Sequence, residues 1–190
     1  MKKGFTIVEL LITVSVLAVL MTIVTTAATK AINASRERQA EAMRVALQAS
    51  IANFQAADPQ GEWPGAIQNA ANNGRSVVLS EDEAQRVFRI IVQKSTGESG
   101  SPLPLIDPHG LVVAPSGAID GKSTGLSFDE ARQGGAHRRK IPVSQMVFGY
   151  QSASNGRFHR YNIVYHAETD SVTVSTESRN SLDTRYGTKK

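Results

Sequence analysis

The sequence predicts an α+β fold: one long N-terminal helix, its first half transmembrane, packed against a small C-terminal antiparallel β-sheet. Three observations predict it. Residues 5–57 contain neither proline nor glycine, so nothing in them breaks a helix. Residues 5–29 are almost wholly apolar, and as a helix they extend roughly 38 Å, more than the ~30 Å hydrocarbon core of a bilayer. The last third alternates apolar and polar residues, the period of a half-buried strand.

The long helix comes first in the chain. Its upper section, residues 30–57, is rich in alanine and other good helix formers. Met43, Leu47, Ile51 and Phe54 recur at helical spacing and form one apolar stripe. Arg36, Glu37, Arg38 and Glu41 mark a solvated stretch between the stripe and the apolar run. Asp58-Pro59 ends the helix, because the residue before proline avoids the helical region. A second helix starts at Ser80-Glu81-Asp82-Glu83, a capping box, and buries Ala84, Val87, Phe88 and Ile91 before stopping at Gly97. Residues 96–125 hold ten Gly or Pro in thirty positions, which predicts turns around a short strand at residues 111–114. Ser127-Phe128-Asp129-Glu130 predicts another short capped helix.

The sheet is expected from Met146, Phe148 and Tyr150, then Tyr161, Ile163 and Tyr165, then Val172 and Val174. Asn155-Gly156 and residues 167–170 supply the turns. Three strands with one apolar face need a partner, and the stripe ending in Phe54 is the expected one. The tail from Glu177 is polar and is expected to be loose.

Composition limits the function classes. The chain has 190 residues, room for one small domain beyond the anchor. It has no cysteine, so an exported fold must be held by its core, and a lipoprotein anchor is excluded. The formal charge is +4 and the isoelectric point near 9.5, but the balance alone does not imply nucleic acid.

Glu9 is the anomaly within the apolar run. A carboxylate in such a helix costs on the order of 2.5–3.5 kcal/mol near the bilayer centre, and less near its edge. An acid in this position reads as functional by default. The plain alternative is a helix-start acid at the headgroups, favoured by the helix dipole.

Lys2-Lys3-Gly4-Phe5-Thr6-Ile7-Val8-Glu9-Leu10-Leu11 resembles the class III signal of type IV pilins and type II secretion pseudopilins. The resemblance covers about thirty residues. It implies cleavage between Gly4 and Phe5 by a prepilin peptidase and N-methylation of Phe5. It also implies that Glu9 pairs with the amine of a neighbouring subunit during filament assembly. Loss of Lys2 and Lys3 with the leader lowers the formal charge to +2. Glu62-Trp63-Pro64 and Asp107-Pro108-His109-Gly110 are similar to short elements of the major type II pseudopilin. The absence of cysteine departs from many type IVa pilins.

The resemblance therefore implies a pilin-like fold and a non-enzymatic filament subunit of a pilus or a secretion system. The expected partners are the prepilin peptidase, other pilin or pseudopilin subunits and the inner membrane. The subunit would cross that membrane once and then enter a periplasmic or extracellular filament. The expected organisation is a leader at residues 1–4, an assembly helix at 5–29 and an exported helix at 30–57. A globular domain follows at 58–176 and a tail at 177–190. Cations at both ends of the apolar run leave the orientation undecided by charge.

Other constellations are weaker. His109, His137, His159 and His166 show no paired ligand spacing. Asp120, Asp129 and Glu130 lack the ladder of a calcium loop. No cofactor is therefore expected, and calcium is left unassigned. His137, Arg138, Arg139 and Lys140 form one dense basic stretch. A solvated loop is the default reading, with an anion or DNA contact through Arg138, Arg139 and Lys140 as the alternative. That alternative is a minor pilin binding DNA or a surface. A membrane-anchored exported protein of other function is the third reading, and no catalytic motif supports it.

Overall fold

The computed structural model describes residues 6–57, 65–98, 105–134 and 139–186. Helix α1 runs unbroken over Ile7–Ala57, about 77 Å at the usual rise. It is followed by α2 (Gly65–Asn72), the two-residue strand β1 (Val77–Val78) and α3 (Glu81–Thr96). Then come β2 (Val112–Pro115), β3 (Leu126–Ser127) and α4 (Phe128–Gln133). The chain closes with β4 (Met146–Gln151), β5 (Phe158–Arg160), β6 (Asn162–His166), β7 (Ser171–Ser175) and α5 (Arg179–Tyr186). The expected helix stop at Asp58-Pro59 and the Glu62-Trp63-Pro64 element lie outside the described residues.

The α+β architecture is as the sequence predicts: a long helix packed on antiparallel strands. Leu47, Ile51 and Phe54 of the α1 stripe are buried, and Met43 packs at the edge of the core. Ser80 caps α3 and Glu83 returns to the Ser80 N–H, while Gly97 ends the helix at φ 75°. Ala84, Val87, Phe88 and Ile91 all face the core. The rings of Phe148 and Tyr161 meet Phe88 edge-on, at 6.5 and 6.3 Å. Ser127 and Glu130 form the second expected capping box, on α4.

The meander departs from expectation. Strands β3-β2-β4-β5 form one antiparallel sheet and β1-β6-β7 another. Residues 158–166 change partners at Tyr161: β5 pairs with β4, whereas β6 pairs with β1 and β7. Tyr161 turns inward and its hydroxyl donates to the Ala40 carbonyl of α1 at 3.0 Å. The alternation of Tyr161, Ile163 and Tyr165 continues across the break, so hydropathy carries no trace of it.

The divergence leaves the backbone of Phe148 on β4 without a strand on that side. Gln85 of α3 fills the gap. Its Oε1 accepts the Phe148 N–H at 2.6 Å, and its Nε2 donates to the Phe148 carbonyl at 3.0 Å. Gln48 of α1 does the same for the outer edge of β7, with Val174 N–H at 2.7 Å and Val172 C=O at 2.5 Å. Covering an edge with side-chain amides removes a template for further pairing.

The described part of the tail, residues 177–186, is not loose: α5 docks on the outer face of the β1-β6-β7 sheet. Leu182 is buried with Val78 and Val164. Arg179 donates to the Leu79 carbonyl at 2.9 Å. His166 meets the Tyr186 ring edge-on at 5.5 Å. The strand face that carries Arg160, Asn162 and His166 is therefore partly covered, and Asn162 is buried.

Candidate functional site: the N-terminal assembly helix

Among the described residues, the lower half of α1 packs against nothing else in the chain. Its apolar window has no buried residue, and Ile7, Leu10, Leu11, Val14, Leu17, Leu20 and Ile23 are all more than half exposed. Apolar surface left bare over this length is suited to lipid or to other helices, not water. Its hydroxyls are satisfied internally. Ser15, Thr22, Thr25, Thr26 and Thr29 each donate to the carbonyl four residues back, and Thr13 to the carbonyl three back. A hydroxyl bonded this way is tolerated in hydrocarbon.

Glu9 sits in the first turn of α1. Its Oε2 accepts from the Thr6 backbone N–H and the Thr6 hydroxyl, both at 2.9 Å, and the Glu9 N–H donates back to Thr6 Oγ1 at 3.3 Å. This reciprocal pattern is a capping box. In the single chain, then, Glu9 has the helix-start role weighed as its plain alternative. A pair with a neighbouring subunit's amine requires a second chain. Thr6 is the residue that sequence reasoning missed. The signal was present, because Thr6-x-x-Glu9 has the same spacing as Ser80-x-x-Glu83 and Ser127-x-x-Glu130.

Gly4 and Phe5, the expected cleavage and methylation positions, lie outside the described residues. So do Arg138 and His137. Arg139 and Lys140 are exposed, and Arg139 borders a shallow cleft with Leu126 and Ile141.

The remaining polar candidates are engaged separately. His109 Nδ1 lies 2.8 Å from Asp129, and that hydrogen bond lifts the His109 pKa above its usual value. Asp120 faces Arg160 at 3.6 Å, and Arg160 also pairs with Glu81. Glu130 caps α4. Asp120, Asp129 and Glu130 are thus not gathered into one site. Among the described residues, no group of three or more His, Cys, Asp or Glu is placed to hold a metal ion. His159 stacks on Tyr150 at 5.8 Å, and His166 bonds Thr173 at 2.8 Å.

Upper and lower halves of α1 thus define a class: a small α+β domain carried on a helix whose free half is long and apolar enough to cross a membrane. Residues 1–25 match the prokaryotic N-terminal methylation motif, the class III prepilin signal of type IV pilins and pseudopilins. That signal implies processing by a prepilin peptidase and assembly with other pilins. Comparison with curated proteins and with solved structures gives no match.

Proposed function

We propose that the protein is a structural subunit of a type IV pilus-like or type II secretion filament. It is made as a precursor cleaved between Gly4 and Phe5, methylated on Phe5 and polymerised through α1. The observation that carries this reading is the methylation motif over residues 1–25, joined to a helix half that buries none of its apolar window. The division of labour follows from that geometry. Residues 5–29 hold the subunit in the inner membrane and later pack among other copies, while residues 30–57 support the domain. The subunit has no enzymatic role.

In this reading Glu9 exchanges partners. Before assembly its carboxylate rests on Thr6, held by neutral hydrogen bonds of capping type. Such bonds leave the negative charge itself uncompensated where water is scarce. The amine of a neighbouring Phe5 supplies a full opposite charge where the effective dielectric is low, so it replaces Thr6 with a stronger partner. The pair then fixes axial register, as buried polar groups do in coiled coils.

Mass spectrometry of the mature chain tests the processing step: a methylated Phe5 N-terminus is expected, and a chain still starting at Met1 refutes it. For assembly, Glu9→Ala should be cleaved normally but enter filaments poorly. Normal incorporation of that variant would rule out the pairing role.

A further inference from the structure

We propose that the membrane-facing end of the domain seats on anionic phospholipid headgroups while the subunit is held in the bilayer. The inference rests on the reading above that residues 5–29 span the membrane.

The geometry begins with the direction of the strands. Tyr150 and Ala40 line one cleft between β4 and α1, and Ser152 and Ala153 line another with Glu37 and Glu41. Strand β4 therefore descends along α1 toward the membrane half. The turn after it, residues 152–157, reaches down to the level of Arg36. There Gly156, at φ 65°, packs against the Arg36 guanidinium so closely that a Cβ would lie 2.9 Å from Nη1. Arg157 donates to the Lys122 carbonyl at 3.0 Å, which brings a second loop to the same level.

From Thr29 to Arg36 the helix rises about 10 Å. The headgroup layer on each side of a bilayer is about 5–8 Å thick, given ~30 Å of hydrocarbon in a total of 40–45 Å. Helical side chains also tilt toward the N-terminus, so Arg36 and Arg38 lean toward the membrane. The turn thus stands within about one Debye length, ~8 Å at physiological salt, of the phosphates.

The charge at this level is predominantly positive. Lys30, Arg38, Lys122 and Arg157 are exposed, and Arg36 is half-buried beneath the turn. Against them stands Glu37, whereas Glu41 is held by Arg44 at 2.6 Å and Asp120 faces Arg160. A phosphodiester surface matches this patch. A DNA duplex, wider than its own ~12 Å major groove, does not enter a gap of about 10 Å. Cations on both flanks of the apolar run leave orientation undecided, and headgroup seating gives the outer set a purpose of its own.

The absence of cysteine permits a clean test on the full chain. S154C places a single fluorophore on the turn, and K94C places one on α3 as a distant control. Each protein is reconstituted in vesicles of phosphatidylcholine, with or without phosphatidylglycerol, carrying a headgroup-attached quencher. With phosphatidylglycerol the turn label should be quenched far more than the α3 label, and 1 M salt should abolish the difference. At roughly fivefold per cation, R38Q/K122Q/R157Q should lower the ratio of seated to free domain on the order of 100-fold. R38K/R157K should retain seating, which separates charge from folding. Equal quenching in neutral and anionic vesicles, for a chain shown to be inserted, overturns the inference and leaves the proposed function standing. Failure of the chain to insert overturns both. Tight binding of duplex DNA by the vesicle-bound chain, lost in R38Q/K122Q/R157Q, assigns the patch to nucleic acid and also overturns it.

Discussion

Replacing Gln85 by methionine should cost the domain a large part of its stability, although the two side chains are close in volume. Gln85 is 4% exposed and Phe148 fully buried. The substitution leaves the Phe148 N–H and C=O without the amide that bonds both. Each buried backbone group so orphaned costs about 1–3 kcal/mol, so the pair costs about 2–6 kcal/mol. Methionine fills the space, which removes the cavity contribution that alanine would add. Against a typical total of 5–15 kcal/mol, that is a shift well beyond measurement error. Urea unfolding of the full chain in detergent, followed by circular dichroism, reads it directly. The Phe148 amide should also lose hydrogen-exchange protection. Gln48→Met is the internal comparison. Gln48 is only half-buried, water can reach the β7 edge, and the expected cost is about 1 kcal/mol. If Gln85→Met changes stability by less than about 0.5 kcal/mol, the gap-filling argument is wrong.

Three further outcomes are expected. Gly149→Ala should destabilise by about 3 kcal/mol, because its Cβ would lie 2.0 Å from the His159 carbonyl oxygen and 2.7 Å from the Phe158 ring. Gly110→Ala should do much less, since its Cβ meets only the flexible end of Met43; thermal unfolding of the two variants separates them. Leu182→Ala should cost about 2–5 kcal/mol locally and release α5, so that trypsin cuts rapidly after Arg179 and Arg185; unchanged digestion would show α5 to be held by other contacts. The His109 ring should titrate with a midpoint above 6.5 by NMR, returning toward 6.5 in Asp129→Asn. Because the folded-state pKa is raised, the contact contributes below the unfolded value near 6.5 and fades as pH rises through the folded one.

Local chemistry was legible in the sequence, and partner choice was not. The two Ser-x-x-Glu boxes, the α1 stripe and the Asn155-Gly156 turn depend on residues within a few positions of one another. Thr6-Glu9 obeys the same rule, but its acid stands at the start of an apolar run, where the same residue also fits an intramembrane charge. The split of residues 158–166 between two sheets depends on how β4 and β7 diverge in space, which alternation does not encode. Alternation gives strand β4 one apolar face, yet Val147 on its other side packs with Ala114, Ala118 and Phe158. Helix α5 offers Leu182 as its one buried residue, too little to signal docking against Val78 and Val164. The N-terminal signal was legible because its chemistry is linear: a basic start, a glycine, an apolar run and one acid.

The ties between α1 and the sheets have a mechanical consequence. The Ala40 carbonyl binds the Tyr161 hydroxyl, Arg44 binds the Val174 carbonyl at 3.3 Å, and Gln48 binds Val172 and Val174. These anchors are spaced four residues apart, one per turn, roughly 6 Å along the axis. A pull along the helix loads them in shear and all at once. A pull across it peels them one after another. A domain hung on its stalk in this way resists tension along the helix axis far better than it resists being levered off the side.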